Sequence, residues 1–116
     1  MINYFSDLNS KFSKLKKRAK RKDIDFNLDK EWIDSKLKKG VCEVTNIKFD
    51  FSKKPFLNPY YPSIDRVDSS KGYTKDNCKM VCHMFNNAKC EFSEKVFIYW
   101  ATKFVEKYEK AHPNDY

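Results

Sequence analysis

Four cysteines, two histidines and one dense run of cations are the residues of this 116-residue chain best suited to chemistry. Cys42, Cys78, Cys82 and Cys90 either bind a metal as thiolates or pack as small apolar groups. The N-terminus has no signal-peptide core, and no apolar run reaches about 18 residues, so no membrane partner is expected. That predicts a cytoplasmic or nucleoid setting, where structural disulfides do not persist. Of the histidines, His83 lies in the middle of the chain and His112 in its tail. The cations cluster: eight of the twelve residues from Lys11 to Lys22 are Lys or Arg. Such a run is either a solvated helix face, with cations favourably placed near a helix C-terminus, or a phosphate-contacting surface. Its density favours phosphate contact through Lys14, Lys16, Lys17, Arg18, Lys20 and Arg21. The net charge of +8 and pI of about 9.3 point to a polyanionic partner. Residues 1–40 hold twelve Lys and Arg against six Asp and Glu, so most of that charge sits near the N-terminus. Further along, Lys53, Lys54, Tyr60, Tyr61, Lys71, Tyr73 and Lys75 interleave cations with aromatic rings. That is the composition of a nucleic-acid groove, and equally of an ordinary loop.

The elements that must position these groups follow from periodicity. Phe5, Leu8, Phe12, Leu15 and Ala19 recur at three- and four-residue steps and predict an amphipathic helix over about 4–22. Asp29 is a suitable cap for a second helix over about 30–39, with Trp32, Ile33 and Leu37 inward and Gly40 ending it. With only two glycines in the chain, Gly40 and Gly72 each mark a sharp backbone turn. VCEVTNIKFDF reads as a short β-rich stretch turning at Asn46, and 51–62, with three of the four prolines, as an irregular loop. SIDRV (Ser63–Val67) is a strand candidate and DSSKGYTKDN a loop. Cys78 to about Lys89 reads as a helix capped by Asn77 or Asp76, which places Cys78 and Cys82 on one face. Ser93 caps a last helix over about 94–110, with Phe97, Trp100, Ala101, Phe104, Val105 and Tyr108 as a core stripe. The middle of the chain therefore runs strand, turn, strand, loop, helix.

The segment PSIDRVDSSKGYTKDNCKMVCHMFNNAK, Pro62 to Lys89, resembles the HNH (ββα-metal) endonuclease family in the branch common in phages and mobile elements. Asp65 stands at the family's Asp, Asn77 at its central Asn and Val81-Cys82 at its apolar-Cys position. Asn86 stands where its last His or Asn falls, and Lys89 follows. With CEVTNIKFD upstream, the resemblance covers roughly Gly40 to Lys89.

The resemblance implies an α+β fold in one domain. A ββα-metal core over 40–89 would be flanked by a basic helical region, 1–39, and a C-terminal packing helix and tail, 90–116. It implies DNA as partner, in the cytoplasm of a bacterial or phage-infected host cell. It also implies one Mg²⁺ or Mn²⁺ held by Asp65 and Asn86, which are hard oxygen donors. Asn77 would brace the loop, and Lys71 and Lys89 would join the phosphate contacts. One position departs from the family: the general-base His after the Asp is here Arg66. Arginine stays protonated and cannot take a proton from water, but it can bind phosphate. His83 and Asp68 are the remaining candidate bases. Many HNH proteins also carry a zinc knuckle of two cysteine pairs. Here those pairs are reduced to Cys42, with Thr45 in the partner position, and Cys82, with Phe85. Structural zinc is therefore not expected, although Cys42, Cys78, Cys82 and Cys90 would make an unorthodox set. Packed cysteines, with Phe49, Phe85 and the last helix filling the lost knuckle, are the expected alternative. The expected function is a metal-dependent DNA endonuclease or nickase. The competing reading is a catalytically silent HNH-fold phage protein that binds DNA or, inhibitor-like, a protein.

Overall fold

The computed structural model describes residues 4–52 and 57–114, with side chains from residue 9 onward. Lys53, Lys54 and Pro55 lie outside the described residues, and Phe5 and Leu8 outside the described side chains. The fold is α+β: helices α1 (Tyr4–Lys22) and α2 (Lys30–Lys39), strands β1 (Pro62–Arg66) and β2 (Cys78–Cys82), then helices α3 (His83–Lys89) and α4 (Glu94–Ala111).

Local chemistry sets the boundaries of α2. The Asp29 carboxylate accepts the Trp32 N–H at 2.8 Å and satisfies a donor that the first turn leaves free. Gly40 ends the helix in the left-handed region, at φ 71°, which carries no Cβ penalty for glycine. Gly72 serves differently from the sharp turn expected of it. A Cβ there would lie 2.3 Å from the Asp25 carbonyl oxygen, so glycine permits the close approach of two backbones. Tyr73 N–H donates to Asp25 O at 2.9 Å and Asn27 N–H to Tyr73 O at 3.1 Å, tying the segment after α1 to the 68–77 loop.

Strands β1 and β2 form a two-stranded antiparallel sheet with Asp65 opposite Lys79 and Ile64 opposite Met80. This corrects the expectation of a helix from Cys78. Residues 78–82 are strand, only 83–89 are helical, and Asn77 is not a helix cap. The expected β-rich stretch at 41–51 contributes a single bridge, Val41 to Lys48, around a turn with Asn46 at φ 62°. That loop covers the outer edge of β2. Glu43 N–H donates to Met80 O at 3.0 Å, and Met80 N–H returns to Glu43 Oε2 at 2.5 Å. Covering the edge removes an unpaired row of backbone donors and acceptors.

The core has two parts. Ile33, Leu37, Cys42, Phe49, Met80, Val81 and Cys82 form one cluster, with Phe85 packed against it. Ala19, Leu28, Tyr73 and Cys78 form the other, with Phe12 and Leu15 of α1 against it. The expected packing role of α4 is overturned. No residue of α4 is buried, and Trp100 is 62% and Phe104 57% exposed. Its stripe meets the core through Phe97, whose ring lies 5.1 Å from that of Phe85.

Candidate functional site

A cleft of about 350 Å³ opens between α1 on one side and β1 with α3 on the other. From α1 it is lined by Lys11, Lys14 and Arg18, one helical turn apart, as the amphipathic pattern places them. From β1 and α3 come Asp65, Arg66, His83 and Asn86. Thus four of the five residues singled out as catalytic share one cleft with two of the predicted phosphate contacts. Lys17, Lys20 and Arg21 continue the cationic surface along α1 in an adjoining hollow that Lys14 and Arg18 share. Lys16 and Lys71 are exposed but line neither hollow.

The fifth residue, Asn77, stands behind the site. Its Oδ1 accepts the Asp68 N–H at 3.0 Å, and its Nδ2 donates to Asp68 O at 3.0 Å and Gly72 O at 2.8 Å. One buried amide thereby closes the long loop between the strands.

Asn86 fixes α3 on β1. Its Nδ2 donates to Ser63 Oγ at 2.7 Å and to Ile64 O at 3.2 Å, leaving Oδ1 as the atom it can offer a ligand. Arg66 is held on the loop side: its guanidinium donates to Lys71 O at 2.9 Å and lies 4.7 Å from the Tyr73 ring centre. A planar cation anchored this way retains further N–H donors for an anion.

Lys89 is not a phosphate contact, which corrects the expectation. It is 1% exposed, and its ammonium donates to Asp65 Oδ1 at 3.0 Å and Arg66 O at 2.9 Å. Asp65 is 2% exposed, and its Oδ2 has no hydrogen-bond partner among the described residues. Burial raises the Asp65 carboxyl above the ordinary carboxylate range, against the opposing pull of Lys89. The unpartnered Asp65 Oδ2 and the Asn86 amide oxygen are both hard donors of the kind a divalent cation takes. Asp65 and Asn86 would hold it, with Lys89 supplying part of the positive charge around Asp65.

His83 is partly buried, and its Nε2 lies 3.0 Å from Asn87 Nδ2. Burial, and then the nearby Lys11 ammonium, lower its pKa, so the imidazole is neutral at neutral pH and able to accept a proton. Asp68 is elsewhere. Its Oδ1 accepts from Ser70 Oγ at 2.6 Å and Ser70 N at 2.9 Å, and these bonds hold the carboxyl below its ordinary range. It neither lines the cleft nor has the basicity of a proton acceptor.

The four cysteines do not converge. Cys42 Sγ accepts the Cys82 N–H at 3.3 Å, Cys78 belongs to the second core cluster and Cys90 is exposed. Burial pushes the thiols of Cys78 and Cys82 up to about 12 and about 11. For Cys42, burial is outweighed by hydrogen bonds from the Thr45 hydroxyl and from neighbouring N–H groups, and its pKa falls.

Sequence reasoning missed Ser63, Asn87 and the Lys89–Asp65 pair. Ser63 and Asn87 neighbour residues it did select, but the 24-residue separation of the ion pair leaves no local signal.

No family model matches the chain, and no solved structure matches it. A curated protein similar to it is the uncharacterized protein R423 of Acanthamoeba polyphaga mimivirus, 31% identical over 97 residues. The matched stretch is 84% of this chain, which spans only 17% of the length of that relative. Among the described residues no helix is long and apolar enough to cross a membrane.

Proposed function

We propose that the cleft binds a DNA phosphodiester and that the chain is a divalent-metal-dependent endonuclease or nickase of the HNH type. The observation that carries this reading is the convergence of Lys14 and Arg18 with Asp65, Arg66, His83 and Asn86 on one cleft. In this reading α1 and Arg66 hold the phosphates, with Arg66 also facing charge that develops on the phosphoryl oxygens. Mg²⁺ or Mn²⁺ would sit on Asp65 and Asn86 and supply Lewis-acid polarisation of the phosphate. His83 takes the proton of the attacking water, the role the family gives to the residue at position 66. Asn87 Nδ2 lies within donating distance of the imidazole Nε2, a bond that must open for that nitrogen to take the proton, and Asn77 keeps the loop that carries Arg66's anchor in place.

One observation favours the silent DNA-binding reading instead. The Asp65 carboxylate is already compensated by a buried lysine, so a cation there shares its ligand with Lys89.

Nicking of supercoiled plasmid in Mg²⁺ or Mn²⁺ decides between them. The enzyme reading predicts divalent-dependent nicking that is lost in Asn86→Ala and reduced at least about 100-fold in His83→Ala, the usual range for a general base. The wild-type rate should fall as pH drops below the ordinary histidine value of about 6.5, because a lowered pKa keeps His83 unprotonated above it. The silent reading predicts DNA binding without nicking; nicking gained in Arg66→His would show that the metal site is intact and only the base is missing. Inactivity of both proteins, with DNA affinity indifferent to metal and to Asn86→Ala, defeats the nuclease assignment.

A further inference from the structure

The cations of α1 have no counter-charge inside the chain. No Asp or Glu stands between Lys11 and Lys22. Lys14, Lys17, Arg18, Lys20 and Arg21 make no ion pair among the described residues. They stand three and four residues apart, so like charges are neighbours on the helix surface, an arrangement that opposes helix formation. Phe12, Leu15 and Ala19 hold the helix on the fold from its other side. Attraction between cations and the C-terminal end of a helix reaches only the last turn, Lys20 to Lys22 here, and does not account for Lys14, Lys17 and Arg18. What such a face lacks is a polyanion.

The cleft fixes the direction that polyanion takes. At one end of it the Lys11 ammonium is close enough to His83 to lower the histidine's pKa. At the other, Tyr73 shares a core cluster with Ala19 of α1 and carries the Arg66 guanidinium 4.7 Å from its ring centre. Helix α1 therefore runs from the His83 end of the cleft to its Arg66 end and continues past it, where Lys17, Lys20 and Arg21 line the adjoining hollow. Beyond the helix the cationic track meets the exposed Asp23 and Asp25 and stops. From Lys14 to Arg21 the helix rises about 10 Å, at about 1.5 Å per residue. That is the axial advance of about three phosphates on one strand of duplex DNA, at about 3.4 Å each.

No ring along this path receives a base. Proteins that hold single strands stack the bases on exposed aromatic side chains. Tyr73 is the one Phe, Tyr or Trp lining the cleft, and it is 4% exposed and lies under Arg66. Tyr61 is buried, and the exposed Tyr60 lines neither hollow. Backbone contacts without base stacking suit a strand whose bases stay paired inside a duplex.

Resting on the reading of the cleft as a phosphodiester site, we propose that its substrate is duplex DNA, gripped by the backbone of one strand that leaves the cleft past Arg66 and lies along α1 on Lys17, Lys20 and Arg21.

Affinity of the full chain for a short duplex and for one of its strands alone, titrated against salt in EDTA, tests this without any cleavage. Circular dichroism confirms that each variant is folded. The wild type should bind the duplex at least about tenfold more tightly than the strand. Lys17→Gln with Arg21→Gln should flatten the duplex slope of log K against log salt by up to about 1.8, at about 0.9 per phosphate contact. Removing two charges from α4, by Lys107→Gln with Lys110→Gln, should leave the slope close to that of the wild type. A strand bound as tightly as the duplex overturns the duplex assignment. A Lys17→Gln/Arg21→Gln slope no flatter than that of the α4 variant overturns the path along α1. The cleft reading itself fails on a different outcome, a Lys14→Gln/Arg18→Gln variant that binds the duplex as the wild type does.

Discussion

At the scale of single residues, the buried pair of Lys89 and Asp65 governs how the cleft is read. Two opposite charges, each nearly without solvent, stand 3.0 Å apart, Asp65 at the cleft wall and Lys89 behind it. Such a pair adds little net stability over an apolar replacement, yet removing one partner strands the other. Lys89→Met should therefore destabilise the fold by about 3–5 kcal/mol, and adding Asp65→Leu should recover most of that loss. Urea denaturation of the two variants checks it. A Lys89→Met protein as stable as wild type would mean that the Asp65 carboxylate finds water or another cation. Asp65, Asn77 and Asn86 were legible in the sequence because each stands at a patterned position with chemistry of its own. Lys89 was legible as a residue but not as a role. A lysine between Ala88 and Cys90 reads as a surface cation, and only the docking of α3 against β1 turns its ammonium inward.

At the scale of elements, the clearest divergence between pattern and structure is Cys78–Cys82. Cys78, Val81, Cys82 and Phe85 fit the helical spacing, and a short apolar run fits a buried strand equally well. Partners outside the run decide: β1 pairs along one edge and Glu43 caps the other. The helices were legible because their caps are local, as Asp29, Gly40 and Ser93 show. The stripe of α4 was legible as a stripe, but periodicity does not tell which surface receives it. The seam between residues 25–27 and 72–75 is the element-scale contact most exposed to a single change. Gly72→Ala places a methyl group against the Asp25 backbone, which has no flexible end to yield. Relieving that overlap should cost about 1–3 kcal/mol. Amide exchange should then show faster opening at Tyr73 and Asn27, whose N–H groups close the seam. Unchanged protection at both amides would show that the two backbones separate without loss.

At the scale of the whole molecule, charge and shape are arranged together. The cationic face of α1 borders the cleft, and the near-neutral α4 lies at the opposite end of the sequence. If the cleft is where DNA phosphates bind, affinity must depend on where positive charge is lost and not only on how much. Titration of duplex DNA against salt measures this directly, comparing Lys14→Gln/Arg18→Gln with Lys38→Gln/Lys39→Gln at the exposed end of α2. Both variants lose two charges. Each phosphate contact contributes about −0.9 to the slope of log K against log salt. The cleft variant should flatten the slope by up to about 1.8 and bind more weakly, while the α2 variant keeps close to the wild-type slope. Equal losses in the two variants would contradict the account, because the attraction would then belong to the net charge of the chain and not to the cleft.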